Sequence, residues 1–116
     1  MKTPTLTTAE FRKMKHPTKR KEQPETAIRR AIVDYLRLHG WKVVRIVQGV
    51  LSEPGIPDLV AIRDGWHVWI EVKTPTGRLS AYQENWLQDL KEHGGMYIVA
   101  RSVEDVIPLA RRRESP

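Results

Sequence analysis

GIPDLVAIRDGWHVWIEVK, residues 55–73, is the stretch whose reading decides the fold. Asp58 to Arg63 is a near-continuous aliphatic run, as expected of a strand covered on both faces. Asp64-Gly65 is a strong two-residue hairpin signal, so Asp64 is assigned to the turn. Trp66 to Lys73 alternates, and is read as the returning strand. Side chains of a strand point alternately to its two faces. His67, Trp69, Glu71 and Lys73 therefore share one face, and Val68, Ile70 and Val72 share the apolar one. With the turn at Asp64-Gly65, residues whose numbers sum to about 129 pair across the hairpin, which sets Asp58 opposite Glu71. Two facing carboxylates repel each other unless they share a cation or a proton. Lys73 lies on the face of Glu71, roughly 6 to 7 Å further along.

Upstream, Pro24 suits a helix's first turn. Ile28, Ala31, Ile32, Tyr35 and Leu36 recur at helical spacing and Gly40 is a stop signal, predicting a helix from Pro24 to His39. Glu25 falls on its apolar stripe, in the first turn, where an acid also suits the helix dipole. Trp41 to Val47 is rich in β-formers and is read as a strand. Gln48 to Pro57, with Gly49, Pro54, Gly55 and Pro57, is read as a loop. Downstream, Thr74 to Leu79 is a loop. Ser80 and Gln83 have the spacing of a capping box for a helix whose apolar side is Trp86, Leu87 and Leu90, ended by Gly94-Gly95. Met96 to Ala100 is a fourth strand. Ser102 with Asp105 starts a short helix, with Pro108 confined to its ends. The fold class is α/β, in the order helix, three strands, helix, strand. A hairpin start followed by a helical crossover gives a mixed sheet with helices on its faces.

The 116 residues predict one folded domain over 22–110, flanked by a basic arm (1–21) and a basic tail (111–116). The formal charge of +6 belongs to the arm, which holds seven Lys/Arg and one acid, while residues 22–116 balance at thirteen of each. A basic arm on a neutral body is expected to contact nucleic acid, though it also serves as a solubilising tail. Within the arm, Leu6, Thr7, Glu10 and Phe11 have the spacing of a capped and stapled helix over about Thr8 to Lys15. With no cysteine, disulfides and thiolate metal sites are excluded, in keeping with a cytoplasmic protein. No apolar run reaches the length of a membrane span, and the N-terminus lacks the apolar core of a signal peptide.

Oxygen ligands without cysteine favour Mg²⁺ or Mn²⁺ over zinc. The four histidines (His16, His39, His67, His93) are scattered, and His39 and His93 are placed to cap helix C-termini. A metal held by Asp58 and Glu71, with the carbonyl of Val72 as a further candidate ligand, would polarise water and a phosphodiester together. Lys73 would orient or deprotonate the water, or stabilise the developing charge. These residues predict metal-dependent hydrolysis of DNA.

Pro57-Asp58, and Glu71-Val72-Lys73 after twelve intervening residues, resemble the PD-(D/E)xK nuclease superfamily. Gly55-Ile56-Pro57-Asp58-Leu59, the helical Glu25, and Gly77-Arg78-Leu79-Ser80 followed by Gln83 are similar to its VRR-NUC branch, over Pro24 to Val106. The resemblance implies a restriction-endonuclease-like core and a metal-binding acidic set of Glu25, Asp58 and Glu71. It implies further that Lys73 is the catalytic lysine and that Gln83 lies near the site. The tyrosine found in the RecB-like branch four residues after that glutamine is here Leu87. A chain of this length resembles the stand-alone, phage-type members, which are similar to dimeric junction-resolving enzymes of bacterial or phage-infected cells. The expectation is a structure-selective DNA endonuclease, such as a Holliday junction resolvase, acting as a homodimer. A restriction-like or nicking nuclease and a non-catalytic DNA-binding module are the alternatives.

The residues expected to hold the DNA backbone are Arg12, Lys13, Lys15, Lys19, Arg20 and Lys21 of the arm, with Arg78 of the loop. Deleting residues 1–21 should weaken DNA binding and flatten its salt dependence, because each lost phosphate contact lowers the slope of log K against log salt by about 0.9. An unchanged slope would show that the arm stays off the DNA.

Overall fold

A computed structural model describes residues 23–47, 49 and 52–111. The expected helix near residues 8–15, the arm cations and residues 112–116 lie outside the described residues. Helix α1 (Glu25–Leu38) starts behind Pro24 and ends at His39, whose Nδ1 bonds the carbonyl of Tyr35 at 2.9 Å. Strand β1 (Lys42–Arg45) returns along it. Then come β2 (Leu59–Arg63), β3 (Trp66–Val72), α2 (Ala81–Glu92) and β4 (Met96–Ala100). A 3-10 turn (Val103–Val106) and the short helix α3 (Ile107–Ala110) complete the described chain, with Pro108 in the first turn of α3.

The four strands lie in sequence order in one sheet. β1, β2 and β3 are antiparallel, and β3 and β4 are parallel across the α2 crossover. The architecture and its mixed sheet are those the pattern predicts. The hairpin register is also as expected, with Leu59 opposite Ile70 and Val60 opposite Trp69. Asp64 (φ 50) and Gly65 (φ 88) both take positive φ, as a two-residue turn matching the strand twist requires.

β1 is shorter than the expected Trp41–Val47 strand. Its pairing carries one residue beyond the strand, where the Ile46 N–H donates to the Asp58 carbonyl at 2.8 Å. The next N–H on the partner side that could face β1 is that of Ile56, and it donates instead to the Glu53 carbonyl at 3.2 Å. The final helix also differs in detail. Ser102 makes no capping bond, and the Asp105 carboxylate instead accepts from the Arg101 N–H at 2.8 Å.

The core is one-sided. Ile28, Ile32 and Leu36 of α1 pack against Val43, Leu59, Ala61, Val68, Ile70 and Val72 of the sheet, closed at one end by Val106 and Leu109. Alternation leaves Trp69 and Glu71 on the other face, under α2. That layer is shallower, and no α2 residue is fully buried. Trp86 of α2 stacks on Trp69 with ring centroids 4.9 Å apart and donates its indole N–H to Glu53 at 3.0 Å. Trp41 belongs to the main core. Among the described residues no helix is long and apolar enough to cross a membrane.

The loop before β2 meets the start of α2 at Gly55. Its φ is +84°, and a Cβ there would overlap the backbone carbonyl of Tyr82. This approach sets the loop carrying Pro57-Asp58 against the turn carrying Gln83. Gly55→Ala should therefore lower stability by about 1–3 kcal/mol through combined strain and overlap, read as a shift in denaturant midpoint. An unchanged midpoint would mean that the loop moves freely from α2.

Candidate active site

Asp58 ends the loop one residue before β2, and Glu71 is the penultimate residue of β3. The 129 register places them opposite one another at the end of the hairpin. Both are withdrawn from solvent, Asp58 at 9% and Glu71 at 2% exposure. Asp58 Oδ2 accepts the backbone N–H of Val72 at 2.9 Å, which fixes its carboxylate across the strand gap. Glu71 Oε2 accepts the side-chain N–H of Gln83 at 3.1 Å. Glu71 Oε1 is buried without a hydrogen-bond partner.

Gln83 fills both of its expected places. Its Oε1 accepts the Ser80 N–H at 2.8 Å and its backbone N–H donates to Ser80 Oγ at 3.1 Å, completing the capping box. Its remaining amide N–H group holds Glu71. The turn that starts α2 and the bond that aims a site carboxylate are thus made by one side chain.

The electrostatics follow from the burial. The Glu71 carboxyl is pushed up from its ordinary value of 4.5 to about 8, first by desolvation and next by the charge of Asp58. Lys73 pulls in the other direction. Lys73 is half-buried, with its backbone N–H bonded to the Ala100 carbonyl at 3.0 Å. Glu25 contributes a smaller upward push. It is the first residue of α1, 39% exposed, and turned to Arg29, whose Nη2 lies 3.1 Å from its Oε2. Arg29 also reaches Asp58 Oδ1 at 3.7 Å. The fold thus sets Asp58 and Glu71 side by side, with Lys73 within electrostatic reach and Glu25 at the rim. Among the described residues no three His, Asp or Glu side chains form a ready metal cage. Two carboxylates and a free buried oxygen suit a hard divalent ion that keeps several of its waters, as Mg²⁺ does. The Val72 peptide is part of the site through its N–H. Arg78 is exposed in the loop before α2.

Three participants escaped the sequence reading. Arg29 is nearly buried and links Asp58 to Glu25. Only its spacing of four residues from Glu25 hinted at a pair. Tyr97 of β4 pairs with Trp69 and so stands on the carboxylate face. Its hydroxyl is buried and unpartnered, and its pKa is raised by desolvation and then by Glu71 and Asp58. Arg101, just past β4, donates to the carbonyls of Thr74 and Gly77, each at 2.7 Å, and clamps the loop between Lys73 and Ser80. No local pattern marks either residue. His67 is exposed on β3.

The family model described as the VRR-NUC domain matches residues 21–104. No curated protein matches the chain significantly. A solved VRR-NUC domain superposes with a TM-score of 0.65 at 20% identity, covering 78% of this chain and 97% of that one. A second VRR-NUC domain protein gives 0.64 at 17% identity, covering 77% and 86%. The Holliday junction resolvase Hjc of the archaeal hyperthermophile Archaeoglobus fulgidus gives 0.50 at 26% identity, covering 65% of each chain.

The raised carboxyl sets a pH dependence. Between pH 4.5 and about 8 the folded chain holds a proton on Glu71 that the unfolded chain has released. Its contribution is complete below the lower value and is lost as pH rises through the upper one. With chelator present, the melting temperature should fall from pH 6 to pH 9, and Glu71→Gln should flatten that fall. An equally steep fall in the variant would assign the dependence to other groups.

Proposed function

The chain belongs to the VRR-NUC family, and on that premise we propose that it is a divalent-metal-dependent, structure-selective DNA endonuclease whose favoured substrate is a four-way junction. The observation that carries this reading is the buried Asp58–Glu71 pair, with Lys73 nearby and one Glu71 oxygen left without a partner. A pair of buried acids costs stability unless something cationic joins it. A module that only bound DNA would gain nothing from holding two acids toward a phosphate backbone.

Asp58, Glu71 and the Val72 carbonyl are the groups that would hold the ion, with Glu25 reaching it through water or by leaving Arg29. When bound there, Mg²⁺ or Mn²⁺ supplies Lewis-acid polarisation of the phosphate and of a water. The chain's own residues do the rest. Gln83 holds Glu71 by one oxygen and leaves the other without a partner. The Val72 N–H holds Asp58 by one oxygen, leaving Oδ1 toward Arg29. Lys73 orients the attacking water or takes its proton, and its positive charge opposes the negative charge that builds on the phosphate. Proximity of that cation to Glu71 favours the ionised carboxylate that binding requires.

Junction selectivity is supported by the similarity to the archaeal resolvase. Paired cuts on opposed strands need two active sites related by symmetry, so the functional unit proposed is a homodimer.

The deciding experiment compares cleavage of a labelled four-way junction, linear duplex and single strand, in Mg²⁺ and in Mn²⁺. Paired symmetrical cuts confined to the junction are expected. Asp58→Asn should lower the rate by more than about a hundredfold, beyond the loss typical of an outer-shell partner, with DNA binding retained. Cleavage of all three substrates would keep the nuclease and reject the junction selectivity. Binding without cleavage in either metal would reject the nuclease.

A further inference from the structure

The described body carries no net charge, yet its charge is divided. Residues 25–45, from α1 through β1, hold five Lys/Arg against two acids. Residues 81–92, the α2 helix, hold one (Lys91) against three (Glu84, Asp89 and Glu92). The basic side is also concave. A cleft of about 840 Å³ runs between α1 and β1, lined by Arg29, Arg30, Arg37, Val43 and Arg45, with Asp34 the one acid among the described lining residues. Arg30, Arg37 and Arg45 are exposed, and Arg30 and Arg45 form no ion pair among the described residues.

The cleft and the carboxylate site share Arg29. It lines the cleft and also contacts Glu25 and Asp58, at 3.1 and 3.7 Å. Arg45 pairs with Leu59, the residue after Asp58. Arg30 and Arg37 stand seven residues apart on α1, about 10 Å along its axis. In sequence the arm of charge +6 precedes α1, whose first turn lines the same cleft at Thr26.

The geometry points to the α1–β1 cleft as the track for the phosphodiester backbone, with Arg30 and Arg45 as the phosphate-binding side chains that feed the strand past Arg29 to Asp58 and Glu71. This rests on the nuclease reading for the destination of the strand, and on the cleft itself for its path. The acidic α2 side repels the same polyanion, so the body's divided charge gives the DNA one approach.

The test uses the full chain and a labelled duplex, with affinity measured by fluorescence anisotropy across a salt series in chelator. Arg30→Gln/Arg45→Gln is chosen because both side chains are exposed, whereas Arg37 donates to the Val43 carbonyl at 3.2 Å and helps hold β1. The double variant should keep the wild-type melting temperature and bind on the order of tenfold more weakly, with a salt slope shallower by about two. Lys91→Gln, on the acidic α2 side, should change neither. Wild-type affinity and slope in the double variant would overturn the track, as would an equal loss in Lys91→Gln or a wild-type chain that does not bind DNA. Nuclease activity of the wild type is scored separately, so an inert chain with an intact cleft effect would reject the nuclease and leave the track standing.

Discussion

Two carboxylates held against each other in a nearly dry cleft are the constraint on which the rest of the molecule depends. Asp58 and Glu71 meet because the hairpin of β2 and β3 closes through Asp64-Gly65 in a single register. A slip of one residue would turn Glu71 into the apolar core and Ile70 toward α2. The core prevents the slip. Leu59, Ala61, Val68, Ile70 and Val72 are all fully buried, so the register of the acids is enforced by the layer behind them. Folding therefore stabilises an arrangement that electrostatics alone would push apart.

Neighbouring groups hold the pair in place without neutralising it. Gln83 and the Val72 N–H each take one carboxylate oxygen. Arg29 faces Asp58 from α1, and Lys73 moderates Glu71 from the same strand. Arg101 fixes the loop that joins Lys73 to the capping box, and Gly55 lets the other loop close against α2. Of the pair's four carboxylate oxygens, Glu71 Oε1 is the one without a partner among the described residues. Burial and the facing charge of Asp58 together give the Glu71 carboxyl its raised value and a reason to hold a proton.

The polar cleft also accounts for the uneven layers. The α1 side is a dry core, whereas the α2 side has half-buried aromatics around Glu71 and no fully buried residue on the helix itself. Charge follows a related division. Glu84, Asp89 and Glu92 lie on α2, and Arg29, Arg30, Arg37 and Arg45 line the cleft between α1 and β1.

The sequence by itself determined the elements, the mixed sheet and the central pair. Hydrophobic periodicity, the Asp64-Gly65 turn and strand alternation are local signals, and together they were enough to set Asp58 opposite Glu71 and to give Gln83 its cap. His39 and His93 cap their helices as their positions before glycine imply. Only the tertiary structure decided what surrounds the pair. Arg29 comes from α1, Tyr97 from β4 and Arg101 from the bend just past β4, and their roles depend on how α1 and β4 are placed against the hairpin. Glu25 lies on the stripe that periodicity assigned, yet its side chain is held by Arg29, a choice between partners that spacing cannot make. The double use of Gln83 was legible as two separate readings, and packing made them one, because the same turn that starts α2 is pressed against the strand that carries Glu71. The cleft of arginines was invisible for the same reason. A charge count sums to zero over the body, and only folding sorts the signs onto opposite sides.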